Sequence, residues 1–183
     1  RALMRQDPDI IMVGETRDGE TAGTSVRAAI TGHMVLSTLH TNDAVSSIVR
    51  LQDMGVETYL VANSLVGLVA QRLLRKVCPS CAREMETTEQ ERLFLGRDVK
   101  KIHRGMGCSH CNHTGYSGRI AVHEILPVNN EIRRMIVDHE TIEEITKYAV
   151  EHQHMRTLKE SGLILVKEGV TTPEELMKIS YGE

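Results

Sequence analysis

The chain has 183 residues, of which 40% are apolar, and its formal net charge is −3. A chain of this length forms one medium domain or two small ones. The acidic balance provides no overall basic field that would attract nucleic acid. The sequence has no run of 18 apolar residues, so no membrane-spanning segment is visible. With one Phe and no Trp, the core must consist of aliphatic residues and Met, which suits helices and parallel strands.

The first predicted element follows a helix end at residues 1–5 and a break at residues 7–9. Residues 10–15 begin with the apolar run IIMV and end in Gly14 and Glu15. A short apolar run of this kind predicts a strand that is buried on both faces. A carboxylate at the carboxyl end of such a strand lies where α/β proteins bind ligands. Taken alone, Glu15 is also consistent with an ordinary solvated acid at a strand end.

A carboxylate that acts on a phosphate requires a phosphate-binding loop. The chain contains no G-x-x-x-x-G-K-[S/T] motif, and cysteines interrupt its one close glycine cluster. The sequence also begins at Arg1, without an initiator methionine. We therefore expect a longer protein whose upstream part carries the missing loop.

The next elements alternate between helix and strand. The pattern predicts a helix over 18–31, a strand over 33–39, a helix that Asn42 or Asp43 caps and Gly55 ends, and an apolar helix over 57–75. This order predicts a parallel sheet with right-handed crossovers.

The character of the chain changes at Cys78. Beyond it we expect a short charged helix near 88–95, a strand over 119–127 and helices to the end. Capping boxes at Thr141–Glu144 and Thr172–Glu175 mark the starts of two of these helices.

The segment TGHMVLSTLHTND places His33 and His40 at the two ends of the second predicted strand. Seven residues of strand span about 23 Å, and the odd spacing puts the two side chains on opposite faces, so a shared metal is not expected. His40 follows the carboxyl end of its strand, as Glu15 does, and Thr38 and Thr41 are close to it. This polar edge suits a phosphate. His33 fits a packed or solvent-facing histidine as well as it fits a functional one.

The sequences CPSC and CSHC provide two C-x₂-C pairs, formed by Cys78, Cys81, Cys108 and Cys111. Each pair supplies two thiolates to one metal, and two pairs complete the tetrahedral S₄ site that zinc favours. Four thiolates leave no open coordination position, so the metal is expected to be structural. The histidines His103, His110 and His113 are then surplus. The alternatives are a redox dithiol or free thiols. Paired cysteines of this kind also favour a reducing compartment.

In combination, these segments resemble a protein family. The stretch RQDPDIIMVGETRDGETA resembles the Walker B segment of the ATPases that power type II secretion and type IV pilus assembly. TGHMVLSTLHTNDA resembles the histidine box of the same family. AQRLLRKVCPSC, CSHCNHTGYSGRIAVHEIL and MRTLKESGLILVKEGVTTPEEL match its downstream pattern in order, so the resemblance covers essentially the whole chain.

The resemblance implies a role for each matching residue. Glu15 falls on the Walker B glutamate that positions Mg²⁺ and the attacking water, and His40 falls on the histidine that senses the terminal phosphate. The remaining nucleotide-binding positions are expected at Gly14, Arg17, His33 and Thr38, and the four cysteines match the family's zinc motif. One departure is Thr16, where a branched apolar residue is commoner. The phosphate loop, and with it the arginines that act between subunits, are expected upstream of Arg1.

The resemblance also implies an organisation and a function. We expect an α/β fold in three parts: the C-terminal half of a RecA-like P-loop core over 1–76, a zinc-binding lobe over 77–118 and a helical subdomain over 119–183. The implied parent is a homo-hexameric motor that hydrolyses ATP with Mg²⁺ and carries structural Zn²⁺. It is expected to be cytoplasmic and peripheral to the bacterial inner membrane, with platform and adaptor proteins as partners and no nucleic acid. The present chain alone is expected to be inactive.

A second interpretation belongs to another class of protein. The chain would be a zinc-ribbon module that docks a partner, with its strands as scaffold only. The acidic net charge and the 3% aromatic content argue against nucleic acid as that partner. Protein docking through the zinc lobe stays open and is compatible with the first interpretation.

Overall fold

The computed structural model describes residues 8–181, so the helix end predicted for residues 1–5 lies outside the described residues. By packing, the chain divides into two compact units. Unit 1 comprises Arg1–Ala70 and Ile125–Met155, and unit 2 comprises Gln71–Glu124 and Arg156–Glu183. The predicted division into parts over 1–76, 77–118 and 119–183 stays a prediction.

Unit 1 contains the predicted parallel strands. Its elements are β1 (Ile10–Val13), α1 (Gly19–Ile30), β2 (Met34–Ser37), α2 (Ser46–Asp53), α3 (Thr58–Ser64), α5 (Asn130–Val137) and α6 (Ile142–Gln153). Strands β1 and β2 pair in parallel, with Ile10 opposite Met34 and Val13 opposite Ser37. Helix α1 connects them and packs against β2. The prediction of an α/β arrangement with a parallel strand pair is therefore confirmed.

The predicted burial of the first strand on both faces is wrong for the described residues. Ile10 is 64% exposed and Met12 is 80% exposed, and on β2 both Met34 and Leu36 are exposed as well. These side chains lie on one face because strand residues two apart point the same way. The intervening residues of β1 are half-buried. The apolar run therefore indicated a strand correctly but did not report which of its faces are covered in this chain.

The predicted helix over 57–75 is wrong beyond Ser64. Helix α3 ends at Ser64, and the chain then forms a long strand, β3 (Gly67–Val77), that is hydrogen-bonded to β6 (Tyr116–Pro127). Short apolar stretches do not separate a strand from a buried helix by periodicity alone, and the leucines and arginines of this segment are good helix formers. The strand forms because β6, which is distant in the sequence, supplies its hydrogen bonds.

Unit 2 contains, besides its parts of β3 and β6, a second pair of strands and three helices. These are β4 (Ala82–Glu86), α4 (Glu89–Leu95), β5 (Lys101–Gly105), α7 (Leu158–Lys167) and α8 (Pro173–Tyr181). Strands β4 and β5 are antiparallel, with Ala82 opposite Gly105. The sequence predicted the helices of both units beyond Cys78 but not this strand pair. The core of unit 2 brings α4, β5, α7 and α8 together around Leu95, Ile102, Val166 and Leu176.

Capping boxes begin several helices. The predicted box at Thr141 is confirmed, because the Thr141 hydroxyl accepts from the Glu144 N–H at 3.2 Å and Glu144 accepts from the Thr141 N–H at 2.9 Å. Two further boxes start α4 at Thr88 and α7 at Thr157. Glu175, which was predicted to form a capping box with Thr172, directs both carboxylate oxygens at Arg75.

The contact between Arg75 and Glu175 ties β3 to α8. The Arg75 side chain donates to Oε1 of Glu175 at 2.7 and 3.0 Å, and the Arg75 backbone N–H donates to Oε2 at 2.9 Å. Lys178 donates to Oε1 as well, at 2.8 Å. The Arg75 guanidinium also lies 4.0 Å from the ring centroid of Tyr116, whose hydroxyl is 2.9 Å from the hydroxyl of Thr172. Because the Glu175 side chain is only 5% exposed, these donors replace the water that it loses on folding.

The pKa of Glu175 makes this contact testable by pH. Burial acts to raise that pKa, but the hydrogen bonds from Arg75 and Lys178 outweigh it and lower the pKa to about 2. A carboxyl group whose folded-state pKa lies below its ordinary value of 4.5 stabilises the fold above pH 4.5 and loses that contribution as the pH falls towards 2.

We therefore expect Glu175→Gln to lower the free energy of unfolding at pH 7 by about 1–3 kcal/mol. The difference from the parent chain should shrink as the pH is lowered from 5 towards 3, and urea unfolding over this range measures it. Glu168→Gln, at an exposed position after α7, is the matched control and should leave stability unchanged at every pH. A Glu175→Gln deficit that stayed constant with pH would contradict the assigned pKa.

Candidate functional site

Two strand ends place the candidate catalytic groups at one edge of unit 1. Glu15 follows β1 and His40 follows β2, and the parallel pairing brings both carboxyl ends to the same side. Nε2 of His40 lies 2.6 Å from Oε1 of Glu15, and a guanidinium nitrogen of Arg17 lies 2.6 Å from Oε2. The structure thus brings together three residues that the sequence predicted for one site.

The carboxylate of Glu15 is held in its ionised form. The contact with Arg17 is the main cause that lowers its pKa below the ordinary value of 4.5, and partial burial acts in the opposite direction. The Glu15 side chain is largely shielded from solvent, whereas Arg17 and His40 are mostly exposed. An ionised carboxylate beside two exposed side chains is able to accept a hydrogen bond from water or to bind a cation.

The strands remain joined beyond the last residue of their ladder. Thr38 donates its hydroxyl to the carbonyl of Gly14 at 2.7 Å, and the Thr16 N–H donates to the carbonyl of Thr38 at 3.0 Å. The hydroxyls of Thr16 and Ser37 are 2.8 Å apart. Space is open beside Gly14 at the position where a Cβ would project. Gly14 and Thr38, both predicted for the site, therefore lie next to Glu15, and the Thr16–Ser37 pair was not predicted.

His33 lies at the other end of β2. It immediately precedes the strand, whereas His40 follows it. Nδ1 of His33 is 3.0 Å from the carbonyl of Ala28 and 3.3 Å from the hydroxyl of Thr31, at the end of α1. The structure therefore does not bring His33 to the edge where Glu15 and His40 meet.

The four cysteines of unit 2 converge on one point. Their sulfur atoms all lie within 4.8 Å of one another. The separation is 3.7 Å between Cys108 and Cys111, 3.9 Å between Cys78 and Cys108, and 3.9 Å between Cys81 and Cys111. A tetrahedral zinc with Zn–S bonds of about 2.3 Å requires sulfur atoms about 3.8 Å apart. The donor set and its spacing therefore fit a structural zinc ion.

Backbone groups hold this cluster in place. The N–H groups of Cys108 and Gly115 donate to Sγ of Cys111 at 3.2 and 3.3 Å. The first of these bonds is the main cause that lowers the pKa of the Cys111 thiol, to about 6. Burial is the main cause that raises the pKa of Cys81, to about 11. Because a bound zinc requires thiolates, these N–H groups prepare Cys111 in particular for a metal.

A close backbone approach explains two of the glycines near the cysteines. A Cβ on Gly105 would come within 1.9 Å of the Gly115 carbonyl oxygen, and Gly115 itself has φ +79°. The same Gly115 accepts from the N–H of Cys78 and donates to Cys111. Only glycine at both positions lets the segments that carry the two cysteine pairs meet.

Comparisons with known proteins identify the family. The profile of the type II/IV secretion system protein family matches residues 1–178. The chain belongs to the type II/IV secretion system protein family. Its membership confirms the resemblance that the sequence motifs indicated.

Relatives from both secretion and pilus systems are similar to this family member. The type II secretion system protein E of Aeromonas hydrophila is 42% identical, over 98% of this chain and 36% of that protein. The type IV pilus assembly ATPase PilB of Thermus thermophilus is 47% identical, over 97% of this chain and 20% of that protein. The chain thus spans between a fifth and about a third of the length of these relatives.

Solved structures agree with the fold. A crystal structure of the pilus retraction motor PilT with bound ADP has a TM-score of 0.66 and 29% identity, covering 98% of this chain and 41% of that chain. The ATPase DotB of Legionella pneumophila has the same TM-score at 22% identity, over 100% of this chain and 41% of its own, and supports the fold alone. The fold is therefore that of an α/β secretion ATPase. Among residues 8–181 no helix combines the length and apolar character that a membrane crossing needs.

Zinc content tests the cysteine cluster. We expect one zinc ion per chain by elemental analysis after gentle purification, and Cys108→Ser should abolish stoichiometric binding because three thiolates bind zinc more weakly than four. The variant should unfold mainly around residues 78–118, since a structural zinc contributes folding free energy to a segment with a small core.

His110→Ala is the matched control, because His110 lies between Cys108 and Cys111 and is not needed for an S₄ site. It should retain the full zinc content. A well-folded, reduced parent chain without stoichiometric metal would contradict the assignment.

Proposed function

We propose that the chain is the C-terminal part of a hexameric motor ATPase that hydrolyses ATP to drive type IV pilus assembly or type II protein secretion. The observation that carries this proposal is the meeting of Glu15, Arg17 and His40 at the carboxyl edge of a parallel strand pair. Membership of the secretion family and the pilus assembly ATPase among the relatives support it.

In this proposal Glu15 orients the attacking water. Its carboxylate is ionised at neutral pH, since its pKa is below the ordinary value, and it therefore accepts a hydrogen bond from water. In the structure His40 contacts Glu15. In the reaction His40 would donate from its imidazole N–H to an oxygen of the terminal phosphate. When bound, ATP supplies that phosphate, and Mg²⁺ supplies positive charge that offsets the negative charge of the phosphates.

The remaining edge residues take supporting roles. Gly14 leaves the approach to Glu15 open, and Thr38 fixes the Gly14 carbonyl through its hydroxyl. Arg17 holds one oxygen of Glu15 and is long enough to contact an anion at the same edge. For His33, which the family resemblance also assigned to nucleotide binding, the contacts with the end of α1 favour a role in the fold.

Zinc has a structural role in this proposal. An S₄ site has no open position for substrate or water, so it stabilises the lobe over 77–118 and takes no part in hydrolysis. The 183-residue chain contains no G-x-x-x-x-G-K-[S/T] motif, and the backbone N–H groups and lysine of such a loop provide most of the affinity for polyphosphate. This chain alone is therefore proposed to be inactive.

The proposed assembly follows from the family. The longer protein would form a homo-hexamer at the cytoplasmic face of the bacterial inner membrane, where it would contact platform proteins and cytoplasmic adaptor proteins. Within that ring the RecA-like core would include residues 1–76, and the helices over 119–183 would form its C-terminal subdomain.

The first test of the function is Glu15→Gln in the longer protein. The change keeps the shape of the side chain but removes the charge that orients water, so we expect turnover to fall on the order of 100-fold or more, with ATP binding retained. Phosphate release measures turnover, and calorimetry measures binding. Glu151→Gln, on the exposed side of α6, is the matched control. Hydrolysis by Glu15→Gln at the parental rate would show that Glu15 serves only the structure.

The two histidines provide a second test. His40→Ala should reduce the hydrolysis rate more than it reduces nucleotide affinity, because His40 is at the ligand edge beside Glu15. His33→Ala should have the smaller effect on hydrolysis and should mainly lower the melting temperature, because it removes the contact with Ala28. ATPase rates and melting curves of both variants decide this. Equal or reversed kinetic effects would rule out the role assigned to His40.

A further inference from the structure

Three hydrogen bonds connect the chain segments that carry Glu15 and His40, and together they form what we call the clasp. They are the contacts of the Thr38 hydroxyl with the Gly14 carbonyl, of the Thr16 N–H with the Thr38 carbonyl, and of the Thr16 hydroxyl with the Ser37 hydroxyl. The regular ladder between β1 and β2 ends at Val13 and Ser37. The clasp therefore joins the two segments beyond the ladder, up to the candidate catalytic groups, with the Thr16 N–H as donor to the Thr38 carbonyl.

The burial of Thr16 distinguishes it from its neighbours. Thr16 is 4% exposed, whereas Glu15 is half-buried and Arg17 is exposed. Its hydroxyl is 2.8 Å from that of Ser37, which itself has access to solvent. A buried hydroxyl needs a hydrogen-bond partner, so Ser37 meets a requirement that Thr16 creates.

We propose that Thr16 is a positioning residue: its hydroxyl, paired with Ser37, fixes the backbone that holds Glu15 opposite His40. This inference rests on the proposed ATPase function for its kinetic consequence. We assign Thr16 no contact with the substrate, because its side chain is buried against Ser37, whereas the exposed groups at this edge are Arg17 and His40.

The geometry explains why a remote hydroxyl matters to the site. Glu15 is adjacent to Thr16, and His40 is three residues beyond Ser37 on the other segment. The 2.6 Å separation of the Glu15 and His40 side chains therefore depends on how firmly the two segments are held together. Displacing a reacting group by about 1 Å lowers a rate on the order of 100-fold, so even partial loosening is measurable.

Substitutions at the pair separate the hydroxyl from the shape of the side chain. Thr16→Val keeps the shape and removes the hydroxyl, and Thr16→Ser keeps the hydroxyl. Ser37→Ala removes the partner and leaves a buried hydroxyl without one. The double variant removes both groups and should recover part of the melting temperature that Ser37→Ala loses, because an orphaned buried group is costlier than a missing pair. Thr24→Val, on α1, is the matched control.

The kinetic arm uses the longer ATPase. Thr16→Val and Ser37→Ala should each lower kcat on the order of tenfold without changing the KM for ATP. The double variant should show the same loss as either single variant, because all three variants break the same Thr16–Ser37 hydrogen bond. Thr16→Ser and Thr24→Val should keep the parental kcat. Parental kcat in Thr16→Val, or a multiplied loss in the double variant, would overturn the inference.

The second arm needs no nucleotide. In the 183-residue chain, hydrogen exchange of the residue-16 amide reports opening of the clasp, since this N–H donates to the Thr38 carbonyl. Exchange should be on the order of tenfold faster in Thr16→Val and Ser37→Ala and unchanged in Thr16→Ser. Unchanged exchange in Thr16→Val would overturn the clasp itself. If the clasp loosens as expected but the longer parent hydrolyses no ATP, the proposed function fails, and the kinetic role of Thr16 fails with it.

Discussion

The parallel pairing of β1 with β2 is the constraint on which the candidate site depends. Because both strands run the same way in a fixed register, with Val13 opposite Ser37, the residues that follow them emerge at one edge. Glu15 and His40 are 25 positions apart in the sequence, yet their side chains meet at 2.6 Å. Helix α1 makes this possible as the crossover, and Asp18 begins it by accepting from the Thr21 N–H at 2.8 Å. A shift of one residue in the register would turn Glu15 to the opposite face.

The segment that carries the four cysteines follows a different constraint. We expect zinc–thiolate bonds to supply folding free energy there, as a structural zinc does in small domains. The cysteine pairs meet only because Gly105 and Gly115 let two backbone segments come into contact. Gly115 is followed by Tyr116, which lies under Arg75, and Arg75 binds Glu175 on α8. The cysteine cluster and the packing of α8 are thus joined within unit 2 by a short chain of contacts.

Local chemistry in the sequence predicted most of what the site contains. Spacing along the chain was enough to predict the C-x₂-C pairs, the polar residues after each strand and the Thr141 capping box. The structure places them as expected. Contacts between distant residues were not predictable in this way. The neighbouring residues predict that Glu175 caps a helix, but its carboxylate binds Arg75, which is 100 residues away. Residues 67–77 have helical composition and become a strand because β6 pairs with them. Ser37 as the partner of Thr16 is likewise visible only once the strands are paired.

In the proposed function, the edge where Glu15 and His40 meet faces the reacting phosphate. A structure of the longer protein with Mg²⁺ and a non-hydrolysable ATP analogue tests this most directly. We expect the Glu15 carboxylate to lie about 2.6–3.2 Å from a water aligned with the terminal phosphate, and the His40 imidazole to contact an oxygen of that phosphate. A nucleotide bound at another edge of the sheet, with Glu15 and His40 still paired to each other and remote from the phosphates, would contradict it.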